Sequence, residues 1–133
     1  MTAPHHLLVV DDEPYIGRIV RKAFEDGPYG VSAVTDGRAA LEFVAANPDV
    51  DCVLLDLNMP GMNGIDVLEA LRKDARFAHL MFVVLTAAGQ VGQVERAREL
   101  GAAAVVTKPF SPKKLVRQIA AMFGDTADIG GEG

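Results

Sequence analysis

The chain has 133 residues, half of them hydrophobic, and carries a formal net charge of −5. This length fits one domain with a substantial core, and this composition excludes a disordered chain. An acidic balance with dispersed Lys and Arg argues against direct nucleic-acid binding, because phosphate recognition requires a basic face. The chain lacks an apolar run near the roughly 20 residues of a membrane span and lacks a signal-peptide pattern, so we expect a cytoplasmic protein.

The first part of the chain predicts two strands, each followed by a helix. Leu7–Val10 is a short apolar strand that ends on acidic residues, and Pro14 suits the first turn of the next helix. Apolar residues then recur at helical spacing as far as Phe24, and the segment Gly27–Gly30 breaks the helix. The second strand, Val31–Val34, is less apolar, so we expect it near an edge of the sheet. A second amphipathic helix follows it.

Three further strand–helix pairs follow in the second part of the chain. Cys52–Asp56 is an apolar run that ends on a carboxylate, which is typical of a buried parallel strand. The next apolar run, Met81–Leu85, ends on Thr86, and a helix follows it as far as Leu100. The fifth strand, Ala104–Thr107, and an amphipathic helix after it complete the series.

The alternation of five strands with five helices predicts an α/β fold with a parallel sheet. Right-handed crossovers limit the strand orders, but the residues alone leave both common doubly wound orders open. We expect residues 1–123 to form this single domain. Residues 124–133 are acidic and Gly-rich, and we expect them to form a disordered tail.

Charged and polar residues stand at the ends of several predicted strands. Asp11 and Asp12 follow the first strand, Asp56 ends the third, Thr86 follows the fourth and Lys108 follows the fifth. The carboxyl ends of parallel strands lie at one edge of their sheet, so these side chains are expected to converge there. Helix capping would explain any one of these residues, but it explains their recurrence at successive strand ends poorly.

Such a convergence of carboxylates requires cations. Two carboxylates a few Å apart repel each other by roughly 4 kcal/mol at an effective dielectric constant near 20. Lys108 supplies one positive charge, and the remaining negative charge favours a divalent cation. Oxygen ligands favour Mg²⁺, which takes one or two carboxylates from a protein and keeps several waters. With Mg²⁺ and Lys108 neutralising phosphoryl oxygens, Asp56 would be placed to attack phosphorus.

The sequence resembles the receiver domain of bacterial response regulators over residues 5–123. The resemblance rests on short segments that are weak individually and highly specific in this order and spacing. These segments are Val9–Pro14, Asp36–Gly37, Leu54–Gly64, Leu85–Ala87, Gly101–Ala102 and Thr107–Phe110. The resemblance implies a flavodoxin-like (βα)5 doubly wound fold whose five-stranded parallel sheet has the order 2-1-3-4-5.

The resemblance also implies roles for individual residues. It implies that Asp56 is the phosphoacceptor, that Lys108 binds the phosphoryl group and that Thr86 turns toward that group. A cis peptide bond before Pro109 is a further expectation from the family. The implied Mg²⁺ site consists of Asp11, Asp12, Asp56 and the backbone carbonyl of Asn58.

Two positions depart from the commonest pattern of the family. Val105 stands three residues before the lysine, where family members usually carry Tyr or Phe. Asn63 stands where many carry Asp, and Asn also caps helices well. Since Val105 has no ring to swing, we expect the conformational switch mainly in the segment Ala87–Gly92 and the start of the fourth helix. Glycine weakens helix formation there.

Three other functions are compatible with parts of this pattern. A phosphohydrolase of the haloacid dehalogenase kind needs a second Asp two residues after its nucleophile as general acid, and this chain has Asn58 there. A flavodoxin-like nucleotide binder needs a Gly-, Ser- or Thr-rich phosphate loop after the first strand, where this chain carries acids. A receiver-like module that binds partners without phosphorylation would not need the complete acidic set with Lys108.

We interpret the chain as a single-domain response regulator. It would take a phosphoryl group onto Asp56 from a sensor histidine kinase or a histidine phosphotransfer protein. It would catalyse only its own phosphorylation and slow dephosphorylation, so we do not class it as an enzyme. Its output would be contact with a downstream protein target or the draining of phosphate from a relay, with no direct nucleic acid and no membrane span.

Overall fold

A computed structural model describes residues 5–124 of the chain. The strands are β1 (His5–Val10), β2 (Tyr29–Val34), β3 (Cys52–Asp56), β4 (Met81–Thr86) and β5 (Ala104–Thr107). The helices are α1 (Pro14–Ala23), α2 (Gly37–Ala46), α3 (Gly64–Arg72), α4 (Val91–Glu99) and α5 (Pro112–Met122). Within residues 5–124, no helix is long and apolar enough to cross a membrane.

The strands in this part of the chain form one parallel sheet in the order β2-β1-β3-β4-β5. The sheet is flavodoxin-like, so the order implied by the family resemblance is confirmed and the other doubly wound order is excluded. β3 lies in the middle of the sheet and all its residues are buried. β2 lies at one edge, as its weaker apolar character predicted, and this edge position leaves several of its residues half-buried.

Two apolar layers cover the two faces of the sheet. Side chains alternate between the faces along each strand, so Leu8 and Val10 belong to one layer while Leu7 and Val9 belong to the other. The first layer packs against α2, α3 and α4, and the second packs against α1 and α5. Helices on both faces explain why the inner strands read as continuous apolar runs rather than as alternating patterns.

The observed elements differ from the predicted ones at their boundaries. β1 and β2 each begin two residues earlier than predicted, because His5 pairs with Tyr29 beyond the apolar part of both strands. A short 3-10 helix, Ala75–Phe77, was not predicted, and the Asp74 side chain caps it by accepting a hydrogen bond from the Arg76 amide. The predicted tail lies, apart from Gly124, outside the described residues.

Candidate functional site

The register of the sheet brings the predicted strand-end residues together. Val10 pairs with Leu55, so the acidic residues after β1 lie beside the end of β3. Asp56 pairs with Leu85, one residue before Thr86, so β3 and β4 end at the same edge. Thr86 in turn pairs with the last residue of β5, directly before Lys108. The convergence that was inferred from the strand ends is therefore present at the carboxyl edge of the sheet.

Three carboxylates form a cluster at this edge. One oxygen from each of Asp11, Asp12 and Asp56 lies within 4.8 Å of the others, with Asp11 and Asp56 buried and Asp12 exposed. Asp11 Oδ1 accepts a hydrogen bond from the Glu13 amide at 2.9 Å, and Asp56 Oδ1 accepts one from the Asn58 amide at 3.0 Å. Each buried carboxylate is thus oriented through one oxygen by an amide two residues later, and its second oxygen faces Lys108.

Lys108 reaches into the cluster from the end of β5. Its Nζ lies 2.8 Å from Asp11 Oδ2, 3.3 Å from Glu13 Oε1 and 3.5 Å from Asp56 Oδ2. Burial by itself lowers the pKa of the lysine, but the close contact with the Asp11 carboxylate and the negative charge of Asp56 outweigh it and raise the pKa above its usual value. Lys108 therefore stays positively charged at neutral pH.

The environment of Asp56 disfavours the charged form of its carboxyl group. It is 3% exposed, and its burial raises its pKa above the ordinary aspartate value. The hydrogen bond from the Asn58 amide lowers the pKa, the charge of Asp11 raises it further, and the Lys108 ammonium lowers it, with a net increase. The increase in the pKa of Asp56 therefore comes chiefly from burial, and repulsion from Asp11 adds to it.

The donor atoms at this edge fit a hard divalent cation. Asp11 Oδ2 is buried and has no hydrogen-bond partner of good geometry among the described residues, although the Lys108 ammonium is close to it. Together with the neighbouring carboxylates of Asp12 and Asp56, this oxygen forms a set of donors that are all oxygens. Mg²⁺ prefers such a set. Exposed Asp12 leaves one side of the cluster open to the waters that Mg²⁺ retains.

Thr86 and the segment around it complete the site. The threonine is buried, and its hydroxyl donates a hydrogen bond to the Ala87 carbonyl at 3.2 Å rather than to a carboxylate. The Lys108 amide donates to the Thr86 carbonyl at 2.8 Å, which fixes the spacing between these two strand ends. The Lys108–Pro109 peptide bond is cis, as the resemblance implies. Val105 is half-buried and packs against the layer beneath α2 and α3.

The loop after β3 is held close to Asp56 by the start of α3. Asn63 caps α3 by accepting a hydrogen bond from the Asp66 amide, and the Asp66 side chain accepts one from the Asn63 amide. Asn at this position therefore performs the capping role. A Cβ atom on Gly64 would lie 2.8 Å from Leu57 Cα and still closer to the Asp56 carbonyl oxygen. Only glycine permits this close approach of the helix to the strand end.

The fold and site define a doubly wound α/β protein with an acidic cluster and a lysine at the carboxyl edge of its sheet. The profile of the response regulator receiver domain matches residues 7–120. The response regulator SaeR of Staphylococcus aureus strain USA300 is 38% identical over 114 residues, which are 86% of this chain and 48% of that protein. This chain belongs to the response regulator receiver domain family, and it spans about half the length of the curated relatives it matches.

Solved structures show the same architecture. A putative response regulator from Chloroflexus aurantiacus superimposes with a TM-score of 0.83 and 27% identity, covering 91% of this chain and 98% of that one. The chemotaxis protein CheY4 of Vibrio cholerae superimposes with a TM-score of 0.81 and 28% identity, covering 90% and 98%. The chain is therefore a receiver domain of two-component signalling, and these comparisons give no support to the dehalogenase-like alternative.

Glu13 lies in this site although it is not among the residues predicted for it. Its carboxylate lies 3.3 Å from the Lys108 ammonium, across 95 residues of sequence. The sequence signal for it was its position directly after Asp12, in an acidic run that ends the first strand. That position is also the start of a helix, where an acidic residue is ordinary, so the signal did not separate the two roles.

Proposed function

We propose that this receiver domain accepts a phosphoryl group on Asp56 in a Mg²⁺-dependent reaction and signals through protein contact. The observation that carries the proposal is the arrangement of the Asp56 carboxylate, which lies 3.5 Å from Lys108 Nζ and has one oxygen each of Asp11 and Asp12 within 4.8 Å. A buried nucleophile flanked by a fixed cation and by further metal-ligating oxygens is what phosphoryl transfer requires.

The residues have distinct tasks in this reaction. Asp11, Asp12, Asp56 and the Asn58 carbonyl would hold Mg²⁺, which neutralises charge on the transferring phosphoryl group. The Asp56 carboxylate forms a bond to phosphorus while the bond from phosphorus to the donor imidazole nitrogen breaks. The nitrogen keeps the electron pair of that bond, and the imidazole leaves as a neutral ring because its other nitrogen already carries a proton. Lys108 binds a phosphoryl oxygen through its ammonium. The Thr86 hydroxyl exchanges its bond to the Ala87 carbonyl for one to the phosphoryl group.

The phosphoryl donor would be a phosphohistidine of a sensor histidine kinase or of a histidine phosphotransfer protein. Arg18, Arg21 and Lys22 form a basic face on α1 that suits docking of such a donor. The downstream partner would be a protein, with no direct role for nucleic acid in this domain. The domain would catalyse its own phosphorylation and dephosphorylation only, and Asn58 cannot serve as the general acid that a dehalogenase-like phosphohydrolase needs.

Labelling by a small phosphodonor tests the proposed function. We expect acetyl phosphate with Mg²⁺ to add one phosphoryl group per chain, which intact-protein mass spectrometry detects. Removing the metal with EDTA should abolish the labelling, because the acidic cluster then repels the anionic donor. A matched incubation with excess Mg²⁺ added back should restore it. Full labelling in EDTA would contradict the Mg²⁺-dependent mechanism.

The phosphorylated domain should lose its phosphoryl group slowly, over minutes or longer. Ala88 and Asn58 lie two residues after Thr86 and Asp56, at the positions where a side chain could orient an attacking water. Ala88 has no polar group, so Asn58 alone could serve, and Asn58→Ala should slow the loss further. A time course of labelled protein in Mg²⁺ buffer measures both rates. Complete loss within seconds would show that another group positions the water.

A further inference from the structure

Glu13 directly precedes α1, yet its side chain takes no part in capping that helix. It occupies the N-cap position, and within the described residues its carboxylate makes no capping hydrogen bond. Its carboxylate turns instead toward the site, where Oε1 lies 3.3 Å from Lys108 Nζ. Its other oxygen accepts a long hydrogen bond from the Tyr15 hydroxyl at 3.4 Å. The geometry therefore assigns Glu13 to the lysine rather than to the helix.

Lys108 is shared among three carboxylates of different character. An ammonium has three hydrogens to donate, and here Asp11, Glu13 and Asp56 surround it. Asp11 and Asp56 are buried and belong to the proposed metal and phosphoryl sites, so they stay beside the lysine in either state. Glu13 is 47% exposed, so water can solvate its carboxylate when the lysine leaves. Glu13 is the partner that Lys108 can exchange.

We propose that Glu13 is a positioning residue that holds Lys108 in the unphosphorylated form and competes for it with the phosphoryl group on Asp56. When the phosphoryl oxygens are present, Lys108 must direct its ammonium toward Asp56, and its contact with Glu13 is the one it gives up. The contact therefore favours the unphosphorylated form. This inference rests on the proposed function and adds a residue outside the acidic cluster that tunes it.

Binding of beryllofluoride, a non-covalent phosphoryl mimic, measures this competition directly. At saturating Mg²⁺, we expect Glu13→Gln to tighten beryllofluoride binding about two- to fivefold, the range that an exposed ion pair supports. The dissociation constant is read from the amide shifts of Asn58 and Thr86 in an NMR titration. Glu25→Gln removes an equal charge near the other end of α1 and should leave the constant unchanged.

Two further variants separate a specific contact from a general effect of charge. Glu13→Asp keeps the negative charge and is a good N-cap, but its shorter side chain cannot reach Lys108. We expect Glu13→Asp to tighten binding like Glu13→Gln, whereas a general charge effect predicts no change. In the Lys108→Ala background, Glu13→Gln should not tighten beryllofluoride binding. If binding in that background is too weak to titrate, Glu13→Asp decides the question alone.

The outcomes distinguish this inference from the proposed function. If the wild-type domain binds no beryllofluoride and takes no phosphoryl group on Asp56, the proposed function fails. If the wild-type domain binds and Glu13→Asp behaves like wild type, Glu13 does not act through Lys108 and this inference alone is overturned. An undiminished gain from Glu13→Gln in the Lys108→Ala background overturns it as well.

Discussion

Replacing Asp56 by Asn should abolish Mg²⁺-dependent labelling by acetyl phosphate. Asn is nearly isosteric with Asp, but its neutral amide is not a nucleophile and cannot form the acyl phosphate. The carboxylate lies at the end of the fully buried strand β3, so no other acid can take its position without moving the backbone. Labelling of equal rate and stoichiometry in the variant would show that another residue accepts the phosphoryl group.

The same substitution should stabilise the metal-free fold at neutral pH. The pKa of Asp56 is raised in the folded state, chiefly by burial, so the folded protein binds a proton at this group more tightly than the unfolded chain does. The stabilising effect of that proton is present at low pH and is lost as the pH rises through the folded pKa. The Asp56→Asn variant does not lose stability in this way as the pH rises, because the Asn side chain carries no charge at any pH.

Thermal unfolding at several pH values in EDTA checks this pH dependence. The Asp56→Asn variant should unfold at a higher temperature than wild type near neutral pH, and the difference should shrink in acid. Adding Mg²⁺ should stabilise wild type more than the variant, because the variant lacks one carboxylate ligand. A variant less stable than wild type at neutral pH would contradict a raised pKa of Asp56 in the folded state, and it would leave the labelling result unaffected.

Replacing Lys108 by Ala should uncouple phosphorylation from conformational change. The Lys108 side chain is 20% exposed at the strand end, and saturating Mg²⁺ would replace the positive charge that the substitution removes, so we expect the variant to fold. The neutral alanine cannot pull on a phosphoryl oxygen, so the shift that draws Thr86 and its loop toward the site should be lost. The expected result is a folded domain whose α4 region barely responds to beryllofluoride or to phosphorylation.

The response should be concentrated at the amino-terminal end of α4. The side chain of the N-cap residue Gln90 makes no capping bond and Val91 is 67% exposed. Apart from its chain neighbours and the backbone of its own helix, no described atom lies within 4 Å of where a Gly92 Cβ would be. The beginning of this helix therefore has few contacts to hold it in one position. Such weakly packed segments open and rearrange at low free-energy cost.

The carboxyl-terminal end of α4 is anchored, in contrast, by two arginines. Arg96 forms an ion pair with Glu69 of α3 at 2.6 Å. Arg72 of α3 donates hydrogen bonds to the carbonyl oxygens of Leu100 at 2.9 Å and Gly101 at 3.0 Å. A helix that is fixed at one end and loosely held at the other favours a small pivot over a wholesale displacement.

Amide hydrogen exchange of free and beryllofluoride-bound protein tests the coupling through Lys108 and the location of the response in α4. In wild type, protection changes over residues 87–100 should exceed those around α2, which serves as the internal reference. In Lys108→Ala, the changes over residues 87–100 should be largely lost at equal occupancy of the site. Full-size changes in the variant would show that Lys108 does not couple the site to α4. If the protection changes over residues 87–100 of the wild type are no larger than those around α2, the conformational switch does not lie in this segment.

The sequence by itself determined the class of fold and predicted all the residues of the acidic site except Glu13. Apolar runs of strand length that alternate with helical spacing predict a parallel sheet, and charged or polar residues at the ends of several runs predict where the chemistry lies. Asp56 and Lys108 were found this way, because a strand end is a local feature that a linear pattern records. Capping by Asn63 is local in the same sense and is confirmed.

Only the tertiary structure decided how these local features are arranged in space. The sequence pattern was equally compatible with two strand orders, because the order depends on which crossovers pack best and not on any one segment. The Glu13–Lys108 contact joins residues 95 apart, and the His6 ring bonds to Asp49 and Ser32, which are 43 and 26 residues away. Periodicity describes one element at a time, whereas such contacts arise when several elements pack together.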